Sequence, residues 1–168
     1  MPMGSAYNAD TWAGFFSAQI AASAALAGLI FVAVSINLAQ IVKLPQLVAR
    51  SAKAVFTLTG VLLVSTLCMV PAQPARALGA ELAVVGVVLW VATTWSRHRA
   101  GHANPYVSRR LQVFYMVLAQ CSSLPAVVAA ASLMVLRGGG LYWLVAGVVF
   151  SYFSAMLDAW VLLVEIQR

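Results

Sequence analysis

Residues 13–36 read AGFFSAQIAASAALAGLIFVAVSI, a run without a single lysine, arginine, aspartate or glutamate. A helix of about 20 predominantly apolar residues crosses a hydrocarbon core of roughly 30 Å, so this run is long enough to span a bilayer. The rest of the chain has the same character. Of its 168 residues 63% are apolar and 8% charged, and the mean hydropathy is +0.94, whereas a soluble domain is roughly 25% charged. Four acids and ten bases cannot cover the surface of a soluble domain of this size. The composition requires lipid as the solvent.

The chain therefore reads as all-α: a polytopic membrane helix bundle forming a single domain, residues 1–168, with five spans at about 13–36, 54–70, 77–95, 111–136 and 141–166. Turn formers or charges separate them: Lys43, Pro45, Arg50 and Lys53; Pro71 and Pro74; Arg97, Arg99, Pro105, Arg109 and Arg110; and Arg137 ahead of Gly138, Gly139 and Gly140. The second span is the shortest, so it is the one expected to lie flat if only four cross. Met1 to Asp10 hold no lysine or arginine, so the first span is expected to remain as a membrane helix rather than serve as a secretory signal.

Short loops rich in lysine and arginine stay on the cytoplasmic side. Of the ten basic residues, all but Arg76 and Arg137 fall on one side of this layout, which predicts the N-terminus outside and the C-terminus inside. Trp12, Trp95 and Trp143 sit near span ends, where indoles prefer the interface. The stretch from Ile41 to Arg50 interleaves bases with apolar residues and reads as a short helix on the inner surface. Lys43, Arg50, Lys53, Arg97, Arg99, Arg109 and Arg110 are then expected to contact anionic lipid. The net charge of +6 follows from topology, and no soluble module exists to present a nucleic-acid face.

Gly14, Ala18, Ala21, Ala25 and Gly28 recur every three or four residues on the first span. Such a stripe lets helix backbones approach closely, and it is expected to bury against another helix of the chain, or otherwise against another copy.

Polar groups at membrane depth are costly unless paired or hydrated, so they carry the functional signal. On the fifth span Gly147, Ser151, Ser154, Asp158 and Glu165 share one face. Asp158 stands out as a candidate proton or cation site with Ser154, Ser151 and Glu165; the alternative is a carboxylate satisfied by a base such as Arg97 or Arg110. The fourth span places Gln120, Cys121, Ser122, Ser123 and Pro125 near its middle, where proline frees the Cys121 carbonyl and predicts a polar kink. That kink either lines a site or is satisfied locally. Glu81, near the outer end of the third span, is a candidate for the mouth of an oligomeric pore, or for a plain interfacial carboxylate favoured by the helix dipole.

His98 and His102 lack a third ligand and have arginines around them, so no metal site is expected. Cys68 and Cys121 show no CxxC spacing. HExxH, GxSxG and phosphate-loop patterns are absent from the sequence, and neither a cofactor nor an enzymatic activity is expected.

The run from Ser23 to Leu38, SAALAGLIFVAVSINL, followed by Leu44-Pro45 and by Val70-Pro71, resembles a group of small bacterial membrane proteins, some labelled modulator of FtsH protease. The resemblance covers about the first 70 residues and implies a bacterial inner membrane; it carries no catalytic or binding residues. Two functions are thus expected in competition. One is a homo-oligomeric channel with the fifth-span polar face on its axis, because five short-looped helices are too few to enclose a broad aqueous path. The other is an interaction or regulatory protein that docks on a larger membrane complex, such as a protease, through the small-residue stripe.

Overall fold

The computed structural model describes residues 5–103 and 109–166, with side chains described throughout except at 45–46, 96–103 and 163–166. Two short 3-10 turns, Ser5–Tyr7 and Ala9–Trp12, lead into α1 (Ala13–Ile36), α2 (Leu38–Ile41), α3 (Pro45–Cys68), α4 (Ala75–Ala103), α5 (Arg109–Val135) and α6 (Tyr142–Ile166). Five of these helices are long and apolar enough to cross a membrane. The protein is a polytopic helical membrane protein, as its sequence predicts.

The second span departs from the sequence reading. It was expected at 54–70, but α3 begins at Pro45, because proline in a first helical turn lacks only an N–H that would have no partner there. The surface helix expected over Ile41–Arg50 does not form: a short helix lies earlier, at Leu38–Ile41, and the residues from Pro45 to Arg50 belong to α3. Arg50 and Lys53 ride on a spanning helix instead of a loop. Far from lying flat, α3 is the hub of the bundle, packing on α1, α6 and, less extensively, α4. α5 joins α4 to α6, while α1 packs chiefly on α3.

Small residues set the closest helix approach, though not where the sequence pattern placed it. A Cβ on Gly79 would meet the Ala130 carbonyl, Leu133 and Met134 at 3.2 Å, and one on Gly86 would meet the Val127 nitrogen at 3.3 Å. These glycines let α4 and α5 pack backbone to backbone. The stripe on α1 does the opposite: Gly14, Ala18, Ala21, Ala25 and Gly28 are all exposed, and nothing lies within 4 Å of a Cβ on Gly14 or Gly28. The expected burial of that stripe within the chain is therefore corrected.

The end of the bundle holding Lys43 is the basic end; the turns Ser5–Tyr7 and Ala9–Trp12 lie at the far end. There Phe16, Leu78, Leu82, Leu133, Leu141 and Leu144 form a dry cluster with Val64 and Ala129. The N-terminal segment is tied across it: Leu141 N–H donates to the Ala6 carbonyl at 2.9 Å, and Gly139 N–H to the Tyr7 hydroxyl at 3.3 Å. Gly140 permits this, with φ of +53° and a Cβ position only 2.1 Å from the Ala6 oxygen. Trp12 meets Tyr142 edge-on at 4.7 Å, completing the seal.

Candidate functional site

The polar face expected on α6 exists, and it is turned inward. Ser151, Ser154 and Asp158 are buried, Asp158 to 2% exposure, against α3 and α5. The partner of Asp158 is Lys53 of α3: its ammonium donates to the carboxylate Oδ2 in an ion pair and to the Ser154 hydroxyl at 3.3 Å. Lys53 lies about 9 Å along α3 from the start of the spanning stretch at Leu47, and Asp158 about 6 Å short of its end at Leu162. Both charges are therefore inside the span. Lys53 is thus corrected from an anionic-lipid contact to a partner inside the bundle. It became available only because α3 starts at Pro45, which carries it into the membrane opposite α6.

Two unpaired charges at this depth would be expensive, whereas a paired carboxylate and ammonium with an added hydroxyl satisfy one another. The pair links α3 to α6 more specifically than apolar packing does. It also leaves Asp158 already neutralised by a cation of the same chain.

Deeper into the membrane a small cavity of about 50 Å3 lies among Thr57 and Gly60 of α3, Thr93 of α4, Ser122 and Ser123 of α5, and Ser151 of α6. That volume accommodates a few water molecules. The hydroxyls around it mostly return to the backbone: Thr57 to the Lys53 carbonyl at 2.9 Å, Thr93 to the Leu89 carbonyl at 2.8 Å, and Ser122 and Ser123 to the Ala119 carbonyl at 2.9 and 2.8 Å. Ser151 crosses between helices, donating to the Ser122 carbonyl at 3.4 Å. α5 continues through Pro125, whose ring packs on Gly147, 3.3 Å from where a Cβ would stand. On the far-end side the cavity meets Val64, Ala126 and Leu144 of the apolar cluster.

The four residues grouped around the α5 proline do not form one site. Ser122 and Ser123 face the cavity and Pro125 packs on Gly147 of α6, while Gln120 faces α4, accepting from Trp90 Nε1 at 2.6 Å and donating to the Thr94 hydroxyl at 3.3 Å. Gln120 is a brace between α4 and α5. Glu81 is exposed on α4. Lys43, Arg109 and Arg110 are exposed, while Arg50 is half-buried with its guanidinium 5.9 Å from the Tyr115 ring centre. The side chains of Glu165, Arg97, Arg99, His98 and His102 lie outside the described set.

Two features escaped the sequence reading. Lys53 was counted as a loop charge, although its placement eight residues after Pro45 was the available signal. A second polar contact joins α1 to α6, where the Tyr152 hydroxyl donates to the Gln19 carbonyl at 3.2 Å; a tyrosine inside an apolar span was its only trace. No family model, curated protein or solved structure matches this chain.

Proposed function

We propose that this protein is a non-catalytic interaction or regulatory protein of a membrane, docking on a larger membrane complex through α1. The observation that carries this reading is the composition of the exposed α1 face. From Ala13 to Gly28 every exposed position on α1 is alanine, glycine or serine, whereas the lipid-facing sides of α4 and α6 are built of bulky residues such as Val84, Val88, Phe150 and Phe153. A smooth, small-residue face contributes little in lipid contact, and it permits the close backbone approach by which membrane helices associate. Inward pairing of the charges supports the same reading, since a helix partner then meets no uncompensated ion.

The basic residues at one end argue for N-out, C-in insertion, and the resemblance of the first 70 or so residues argues for a bacterial inner membrane and for a protease among the candidate complexes. The test is photo-crosslinking in the native membrane with a probe at Ala21 and a control probe at Val88. Protein adducts from Ala21 alone, lost on Gly28→Ile, support docking; lipid adducts alone from both positions overturn it.

A homo-oligomeric pore is the second reading, favoured by the hydroxyl-lined cavity beside the Lys53–Asp158 pair. It requires the pair to open and the far-end cluster to part, with Glu81 and Asp158 on a path shared between copies. Ion flux into proteoliposomes, lost or altered in Asp158→Asn at two pH values, would favour the pore over docking.

A further inference from the structure

A second, larger recess lies outside the charge pair. Between α1 and α6 a groove of about 210 Å3 runs along Leu26 and Ala33 on one wall and Met156 and Ala159 on the other, with Leu58 of α3 behind them. It ends at the basic end beside Asn37 and Ile41. Towards the membrane centre, beyond Leu26, Tyr152 of α6 bonds the Gln19 carbonyl of α1. From Leu26 to Asn37 the helix rises about 16 Å, close to half of a roughly 30 Å hydrocarbon core. The groove is therefore one leaflet deep and opens at the headgroup level, where Trp160 is exposed on α6 in the position that interfacial indoles favour.

We infer that this groove holds one acyl chain of an anionic phospholipid, whose headgroup is received by Lys43. The size of the groove selects a chain over a helix. A groove of about 210 Å3 is too narrow to enclose a helix about 10 Å across, whereas a single unbranched chain is slender enough to lie between α1 and α6. The charge selects the headgroup. Lys43 follows Ile41 by two residues and is exposed, and its ammonium donates to Gln40 Oε1 at 3.4 Å; Asn37, which lines the groove, is turned back to the Ala33 carbonyl at 2.9 Å. Among the described residues, the cation at the end of this apolar slot has no acidic partner. A resident lipid here would fill the wedge between α1 and the rest of the bundle and fix the tilt of the helix that presents the small-residue face.

The experiment reconstitutes the full chain in bilayers of phosphatidylglycerol and phosphatidylcholine in equal parts, extracts it gently and weighs the retained lipid by native mass spectrometry. The wild type retains one lipid, predominantly phosphatidylglycerol. Ala33→Phe and Ala159→Phe, which fill the groove from opposite walls, lose it, while Val88→Phe on the open face of α4 keeps it. Lys43→Gln retains a lipid but loses about fivefold of the preference for phosphatidylglycerol, the worth of one lysine at an anionic surface. A wild type that retains no lipid, or groove-filled variants that retain it as well as the wild type, would overturn the inference. The unaltered protein gives a second reading through phosphatidylglycerol with a photoactivatable acyl chain. Label concentrated in residues 26–37 and 155–162 supports the groove, and label spread evenly over the outer faces of α4 and α6 refutes it, as does a lipid-free dimer joined through α1 and α6.

Discussion

α1 and α3 have the same number of residues, 24 each, pack against one another, and stand at opposite extremes of the bundle. α1 carries no charge, yet 11% of its most apolar stretch is buried; α3 carries Arg50 and Lys53, and 39% of its stretch is buried. In water the more apolar helix would be the inner one. In a bilayer the lipid is as apolar as leucine, so burying α1 gains no hydrophobic free energy, while the cost of leaving Lys53 or the α3 serines in hydrocarbon drives α3 to the centre. Hydropathy detects spans but orders their burial in reverse.

The sharpest way to break that comparison is to remove the reason α3 is central. Asp158→Leu leaves the Lys53 ammonium without its carboxylate, and the folded chain is expected to lose about 3–5 kcal/mol, measured by denaturant titration in mixed micelles. Lys53→Met should cost about as much, because it strands the carboxylate instead. The double substitution Lys53→Met with Asp158→Leu is expected to recover most of the loss, since an apolar pair of similar volume needs no desolvation. Additive losses in the double variant would mean that the two residues act separately and that the pair does not organise the bundle.

The spans were legible in the sequence because five apolar stretches with charged or proline-containing breaks admit few other readings. The α3 boundary was not, because Pro45 serves equally as a loop residue and as the first residue of a helix, and the choice decides whether Lys53 is a surface charge or the partner of Asp158. That Ser151, Ser154 and Asp158 share a face was readable from spacing alone. Which neighbour that face meets was not, since five antiparallel helices pack in several orders with nearly equal apolar contact. The small-residue rule failed in an instructive way: Gly79 and Gly86, seven apart on α4, make the close contact with α5, while the denser α1 pattern stays open. Spacing identifies a surface that permits close packing and does not say whether its partner belongs to the same chain.

Glycine exchanges sharpen the contrast at a smaller scale. Gly147→Ile on α6 places a branched side chain against Pro125 and the Ser122 carbonyl, 3.3 and 3.6 Å from the Cβ position; overpacking against a rigid ring is expected to cost about 1–3 kcal/mol. Gly28→Ile on α1 has open space around it and should change the stability of the isolated chain by no more than about 0.5 kcal/mol, while abolishing crosslinks from the α1 face. A large destabilisation by Gly28→Ile would place the small-residue face of α1 against its own bundle after all. Between these lies Trp90→Phe, which removes the indole N–H from Gln120 Oε1 and should cost about 1 kcal/mol, read in the same titration.

The smallest expected effect separates charge from shape at the basic end. Arg50 and Lys43 were read alike from sequence, as cations over lipid, but only Arg50 has its guanidinium set 5.9 Å from an aromatic ring centre, that of Tyr115 on α5. Arg50→Lys keeps the charge that biases insertion and replaces the planar group that stacks on the ring, so a loss of about 0.5 kcal/mol is expected. Lys43→Gln, at a side chain whose contact among the described residues is Gln40, should leave stability in lipid-free micelles unchanged. If the two variants behave identically, the Tyr115 contact contributes nothing and both bases act on the bilayer alone. If Arg50→Lys alone loses stability, α3 is tied to α5 by its first turns, and the basic end of the hub helix is structural where Lys43 is left to the lipid.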